Sequence, residues 1–322
     1  MTDTVARPPY DPELAAALQA IEAAAPPALT LDLIPAVREA GVAGIPPLDE
    51  LFAGRDIAWH DVTIAGHNGD DILVSVYHRK GRDAPAAGIY HVHGGGMVMG
   101  DRSLGVSLFA DQIERGDAVV VSVEYRLAPE HPDPYPVEDC YAGLVWTAEH
   151  ATELGIDPAR LMIAGGSAGG GLAAGVALLS RDRGGPALFA QLLMCPMLDD
   201  RDDTVSTRQI ETGMWNRASN RTGWTALLGD RRGGDDVSIY AAPARATDLS
   251  GLPPAYIDCG SAEVFRDEDV AYAQRLWAAG VQAELHVWAG GFHGFEGLAP
   301  HAEVSRAAGA ARRSWLNRTL GA

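Results

Sequence analysis

Gly165-Gly166-Ser167-Ala168-Gly169 decides how this chain is read. A serine stands between glycines in the pattern G-x-S-x-G. Just upstream, Arg160-Leu161-Met162-Ile163-Ala164 reads as a short apolar strand, and just downstream Gly170 to Leu179 reads as a helix. A sharp strand-to-helix turn crowds the backbone at its tip, and glycine tolerates that crowding. The turn lifts the serine hydroxyl clear of the sheet and sets it at a helix N-terminus, which suits nucleophilic acyl transfer. A Gly-rich connection with an incidental serine has the same five letters. The pattern therefore carries weight only if its chemical partners are present.

Composition narrows the setting. At 322 residues the chain makes one large α/β domain or two smaller ones. Its 47% apolar and 21% charged residues are those of an ordinary globular protein with a sizeable core. A formal net charge of −18 repels nucleic acid and anionic membranes, so neither is expected as a partner. Cys140, Cys195 and Cys259 are odd in number and form no C-x-x-C pair, which reads as buried free thiols in a reducing compartment. Met1 to Arg7 carries no apolar signal-peptide core, and no apolar run approaches the roughly 20 residues of a membrane helix. The expectation is a cytoplasmic protein.

Two patterns organise the chain. Asp11 suits an N-cap, Pro12 the first helical position and Glu13 the helix dipole, with Leu14, Leu18 and Ile21 at helical spacing. Pro26-Pro27 stops this helix, and a shorter one follows and ends at Gly41. Beyond Pro46-Pro47, strand-like runs appear at 57–64, 72–77, 88–91, 118–123, 161–164, 192–195, 255–259 and 282–287. The first ones follow each other as a hairpin does. From Ala118 onward they alternate with helical stretches at 137–152, 170–180, 267–279 and 301–316, which implies crossovers and a parallel sheet. The last run alternates Gln282, Glu284 and His286 against Val281, Ala283, Leu285 and Val287, as an edge strand does. Between Leu198 and Leu252 the alternation breaks, and that stretch is too long for a connecting loop. The expected division is a helical cap segment at 1–50, a catalytic domain at 51–322, and a second cap insertion at 199–250.

A serine nucleophile needs a base, a group that orients the base, and donors for the oxyanion. His293, in Gly290-Gly291-Phe292-His293-Gly294, lies just past the last strand and is the base by position. His286 competes but lies within the strand. The acid follows the preceding strand, where Asp258, Glu263, Asp267 and Glu268 stand. Asp258 is inside the strand, and Asp267 and Glu268 fall in the first turn of a helix, where carboxylates suit the dipole. Glu263 is in the loop and is favoured, with Asp267 in reserve. The oxyanion donors are the N–H groups of Gly94 and Gly95 in His93-Gly94-Gly95-Gly96 and of Ala168 after the nucleophile. His93, Gly96, Gly165 and Gly169 support these motifs. Neither Gly-rich segment has the spacing of a phosphate loop or a dinucleotide fingerprint, so no cofactor is expected. His91 and His93 form an H-x-H, but no further ligands are spaced to complete a metal site. Met97, Met99, Met214 and Trp215 are candidates for a substrate pocket, although each reads more readily as plain core.

Together these residues resemble the bacterial hormone-sensitive-lipase-like (family IV) carboxylesterases, a branch of the α/β-hydrolase superfamily. The resemblance rests on His93–Gly96, on Gly165–Gly170, on Glu124-Tyr125-Arg126-Leu127-Ala128-Pro129-Glu130 and on Glu138-Asp139, and it covers about residues 55 to 320. The family's D-P-L-R-D-E stands here as Glu263-Val264-Phe265-Arg266-Asp267-Glu268, so its register implies Glu263 as the acid. Three departures stand out. Gly166 replaces the family's common Asp, Gly171 its common Asn, and Met97 the aromatic that often follows HGGG. The resemblance implies an α/β-hydrolase fold, namely a mostly parallel eight-stranded sheet flanked by helices with a helical cap. It also implies a serine carboxylesterase acting on short- to medium-chain esters, and dimers through the last edge strand.

Two other readings compete with an esterase. A non-catalytic receptor on the same fold typically lacks a triad member, whereas all three positions are chemically competent here. A lyase or dehydratase does not need serine at the elbow. Amide or acetyl-group hydrolysis by the same mechanism stays open.

Overall fold

The computed structural model describes residues 5–24, 26–44, 46–82 and 84–321. Its centre is one eight-stranded sheet in the order β1-β2-β4-β3-β5-β6-β7-β8. The strands are β1 (Ile57–Ala65), β2 (Asp71–Arg79), β3 (Ala86–Val92), β4 (Ala118–Glu124), β5 (Ile156–Gly166), β6 (Gln191–Met194), β7 (Ala255–Gly260) and β8 (Ala283–Trp288). β1 and β2 form the expected hairpin and join β4 antiparallel; every later pairing is parallel. Ala118 to Val123 is buried throughout, as its unbroken apolar run requires of a strand covered on both faces.

The helices are α1 (Pro12–Ala24), α2 (Ile34–Gly44), α3 (Leu48–Leu51), α4 (Ala110–Arg115), α5 (Tyr135–Glu149), α6 (Ala168–Arg183), α7 (Val205–Gln209), α8 (Arg217–Leu228), α9 (Arg266–Ala278), α10 (Phe295–Leu298) and α11 (Glu303–Leu320). α1 starts where its cap predicts, for Asp11 Oδ1 accepts the N–H groups of Glu13 and Leu14. α2 runs three residues past Gly41, so that glycine does not end it. The short helices α3, α4, α7 and α10 carry no helical pattern in the sequence because none spans two full turns of periodicity. α6 is buried from Ala168 to Ser180 and packs mainly on β5 and α5.

β8 begins at Ala283 and keeps the predicted alternation only in part. Val287 is exposed, while the His286 ring stacks between Tyr256 and Trp288. Aromatic stacking here outweighs the binary pattern.

The acid-rich run Asp199–Asp203 is held by ion pairs. Asp200 pairs with Arg245, and Asp202 with both Arg217 and Arg221, so the run ties the 199–250 stretch together. Three hydrogen bonds join the N-terminal segment to α8 and its N-cap, Asn216. Ser219 Oγ accepts the Leu29 N–H, Asn216 Nδ2 donates to Pro27 O, and Thr222 Oγ1 donates to Leu29 O.

Parallel register aligns the strand ends. Val92 lies opposite Gly165, Gly166 opposite Met194, Met194 opposite Asp258, and Gly260 opposite Trp288. The loops leaving β3, β5, β6, β7 and β8 therefore open at one edge, where α/β sheets hold their ligands.

Candidate active site

Ser167 sits between β5 and α6 with φ +57° and ψ −125°. A side chain in that region costs about 1–3 kcal/mol and persists only where the surroundings enforce it. Here Ser167 N–H donates to Met194 O at 2.8 Å, and Ser167 O accepts from Met197 N–H at 2.9 Å and Gly171 N–H at 3.1 Å. The motif glycines serve close backbone approach. A Cβ on Gly165 would lie 2.2 Å from Gly169 O, and one on Gly169 would lie 2.2 Å from Val92 O. The two departures at the elbow differ in kind. A Cβ on Gly171 would meet Met197 O at 2.0 Å, whereas one on Gly166 would find nothing nearer than Met194 Cε at 3.6 Å.

His293 reaches the serine from the loop after β8. Its Nε2 lies 2.9 Å from Ser167 Oγ and its Nδ1 lies 3.1 Å from Glu263 Oε1. An ionised carboxylate only accepts, so Nδ1 carries the ring proton and Nε2 is free to accept the Ser167 O–H. Glu263 is 1% exposed, and its Oε2 accepts the Gly260 N–H at 2.7 Å. Phe265 packs edge-on against the imidazole. The reserve acid, Asp267, is not at the imidazole. It accepts from Ser206 N–H and from Arg266, on the outer side of the α9 start. Asp258 is bound by Arg312, and Glu268 Oε1 accepts the N–H groups of Leu198 and Asp199. Glu268 thus holds the loop that leads away from Met197. Burial, with Asp199 nearby, pushes its carboxyl well above the usual range.

The HGGG segment crosses in front of the elbow. A Cβ on Gly94 would lie 3.5 Å from Ser167 Cβ. Gly95 and Gly96 both have positive φ, which lets the loop turn inward. Among the described residues, the N–H groups of Gly94, Gly95 and Ala168 have no acceptor. His93 is not a reacting group. Its ring is fully buried, stacks on Tyr125 at 4.2 Å, and bonds through Nδ1 to Gly94 O at 2.8 Å. Burial lowers its pKa, so it is neutral scaffolding for the glycines. Tyr125 O–H donates to His93 O, and Arg126 binds the buried Asp139. The segments 124–130 and 138–139 thus brace the loop from behind. His91 bonds Ser122 Oγ through Nδ1, and burial drives its pKa down to about 3. The H-x-H pair gathers no further ligand among the described residues.

This elbow, imidazole and glycine loop at the carboxyl edge of one sheet match a known sequence family. The model of the alpha/beta hydrolase fold matches residues 89–297. The chain belongs to the α/β-hydrolase family. Carboxylesterase NlhH of Mycobacterium tuberculosis is 40% identical over 229 residues, which cover 68% of this chain and 70% of the relative. Esterase LipI of the same organism is 36% identical over 228 residues, covering 68% and 69%. Among solved structures, a bacterial heroin esterase superposes with a TM-score of 0.88 at 38% identity, covering 97% of this chain and 98% of that one.

In this α/β-hydrolase the serine opens into a cavity of about 660 Å³. Ile21, Leu29 and Val37 from the N-terminal segment form part of its wall, and Met214 and Trp215 from the 199–250 stretch form another part. Met99 lines it as expected. Met97 does not. It has φ +62°, is fully buried, and packs in the main core away from the cavity. The sequence reveals neither the positive φ nor the core packing of this side chain. The reading missed Cys195, His91, Leu104 and Leu108 in the wall. Cys195 and His91 stand at strand ends on the loop edge, and that position was the available signal. No helix among the described residues is long and apolar enough to cross a membrane.

Proposed function

We propose that this chain is a serine carboxylesterase acting on short- to medium-chain esters of small molecules. Ser167 attacks the ester carbonyl while His293 Nε2 takes its proton. Glu263 holds the imidazole and stabilises its cation, and the N–H groups of Gly94, Gly95 and Ala168 receive the oxyanion. The protonated imidazole then gives its proton to the leaving alcohol. Water, deprotonated by the same imidazole, releases the acid from the acyl-enzyme. The observation that carries this reading is the unbroken Ser167–His293–Glu263 contact chain, 2.9 Å and 3.1 Å, beside unbonded amide donors. Relatives named as esterases support the ester as substrate.

Residues 1–50 and 199–250 act as the cap of this reading. Its support is that both stretches wall one cavity and are hydrogen-bonded to each other. A roofed pocket of this size suits modest acyl groups rather than an open lipid surface. A homodimer through β8 belongs to the same reading, since β8 is an outer strand with Val287 exposed. Light scattering at the mass of one chain would exclude it. A reducing cytoplasmic setting fits three unbridged, buried cysteines.

Initial rates on nitrophenyl esters of increasing acyl length test the proposal. The rate should peak at short or medium chains, and Ser167→Ala should lower turnover on the order of 10⁶-fold. Near wild-type hydrolysis by Ser167→Ala would refute the assignment.

A further inference from the structure

Cys195 leaves the end of β6 with φ +38°, and its side chain is in the cavity wall. Its sulfur, one ring nitrogen of His293 and one carboxylate oxygen of Glu263 all lie within 4.8 Å of one another. Among the described residues, this is where three such ligand atoms converge. In a tetrahedral zinc site, bonds of about 2.0–2.3 Å set neighbouring donors roughly 3.3–3.8 Å apart. Nδ1 and Oε1 are already 3.1 Å apart, so closure asks for rotation of the Cys195 side chain, whose sulfur lies within 4.8 Å of the other two donor atoms.

We propose that Cys195, His293 and Glu263 form a site for a thiophilic divalent cation, of the zinc or cadmium type, whose occupation switches hydrolysis off. The inference rests on His293 being the general base of the proposed function. The donor set selects the metal. Sulfur, imidazole and one carboxylate suit zinc and its heavier relatives, whereas magnesium and calcium require an oxygen shell. Charge also balances, because a thiolate and a carboxylate neutralise a doubly charged ion. As the sulfur–metal bond forms, the S–H bond breaks and its proton passes to water. The cavity gives the ion a route to both Cys195 and His293.

Either ring nitrogen disables the base. If Nε2 ligates, its lone pair is used and Ser167 has no acceptor. If Nδ1 ligates, the neutral ring carries its proton on Nε2, which then faces Ser167 as a donor. Glu263 Oε1 meanwhile leaves the imidazole for the metal. The site therefore competes with catalysis for the same lone pairs.

The test follows nitrophenyl acetate hydrolysis by wild type, Cys195→Ala and Cys195→Ser, each referred to its own metal-free rate, against added zinc, cadmium, magnesium and calcium. Zinc and cadmium should inhibit wild type, EDTA should restore it, and magnesium and calcium should do nothing. In Cys195→Ala the zinc inhibition constant should rise at least about tenfold. Cobalt(II) added to wild type should give thiolate-to-metal absorption in the near ultraviolet, and Cys195→Ala should lack it. Equal zinc inhibition of wild type and Cys195→Ala, or no thiolate band in wild type, overturns the proposal. Cys195→Ser, which keeps the side-chain volume, guards against a folding artefact. A wild type that hydrolyses no ester would sink the esterase reading instead, while the cobalt spectrum would still report on the metal site.

Discussion

Glu263→Gln isolates what the carboxylate does for the imidazole. The two Glu263 oxygens serve two donors, His293 Nδ1–H at 3.1 Å and Gly260 N–H at 2.7 Å. An amide has one oxygen and one NH₂, so it satisfies only one of them. With its oxygen on Gly260, the NH₂ faces Nδ1 and forces the ring proton onto Nε2, the wrong tautomer for accepting from Ser167. With its oxygen on His293, two donors face each other at Gly260 in a buried site. That orientation costs about 1–3 kcal/mol, which leaves about 5- to 150-fold fewer molecules with a working base. Those molecules also lack the charge that stabilises the imidazolium, worth roughly a further 1–2 kcal/mol or about 5- to 30-fold. The product is a loss in kcat of about 25- to 4,500-fold, its upper end approaching the roughly 10⁴ of a triad acid-to-amide change. Glu263 is absent from the cavity wall, so KM should stay within about twofold. Asp267→Asn is the matched control. It alters only the bonds to Ser206 and Arg266 and should keep kcat within about threefold. Steady-state kinetics on one nitrophenyl ester, with circular dichroism to confirm folding, decides. A Glu263→Gln enzyme retaining more than about a tenth of wild-type kcat, or an equal loss in Asp267→Asn, would refute the reasoning.

Three further outcomes are expected. Gly169→Ala forces a Cβ to 2.2 Å from Val92 O and 2.4 Å from His93 O, so it should cost at least about 3 kcal/mol and lower the melting temperature by several degrees, while Gly166→Ala stays within about 0.5 kcal/mol. Equal melting temperatures for the two variants would contradict the packing account. Trp215→Ala removes an indole that lines the cavity and packs on Gly96, so the preferred acyl chain should lengthen in the nitrophenyl series; an unchanged optimum counts against Trp215 as a wall. His91 is buried neutral, with its pKa lowered from 6.5 to about 3. Below pH 6.5 the unfolded chain binds a proton that the native one does not, so this histidine erodes stability by about 1.4 kcal/mol per pH unit as pH falls toward 3. Denaturant unfolding of wild type and His91→Asn between pH 7 and 4 should therefore show wild type losing stability faster, and parallel curves would refute it.

The strands were legible because most carry short apolar stretches, such as Ile72–Val74, Ala118–Val121 and Leu161–Ala164, that recur in alternation with helical segments. The candidate site was legible because the proposed chemistry uses residues with little substitute. Ser167, Glu263 and His293 follow one another at loop positions after β5, β7 and β8, and topology brings such positions to one edge. What escaped is what three dimensions alone decide. Nothing in the letters distinguishes Met97 from Met99, yet one is fully buried in the core and the other lines the cavity. The partners of Asp200 and Asp202 are also set by the fold, for their arginines arrive from 245, 217 and 221. Cys195 reads as a buried core thiol, and its neighbours Glu263 and His293 are 68 and 98 positions away. Gly166 and Gly171 look alike as departures, but backbone crowding forbids a side chain only at Gly171.

α1 has two neighbours, and this bears on how the protein is to be engineered. Ile21 faces the cavity, while Leu14 and Leu18 are buried against Phe292, Phe295, Ala299 and Ala302, around the loop that carries His293. Asp11 N–H also donates to Gly290 O at the start of that loop. Two buried leucines contribute roughly 3–6 kcal/mol, most of which a truncation before residue 25 would forfeit. A chimera that borrows this helix from a relative to change the accepted ester therefore also replaces the buttress of the loop that carries His293, the proposed general base. Selectivity and turnover will shift together in such grafts unless Leu14, Leu18 and their aromatic partners are transplanted as one block.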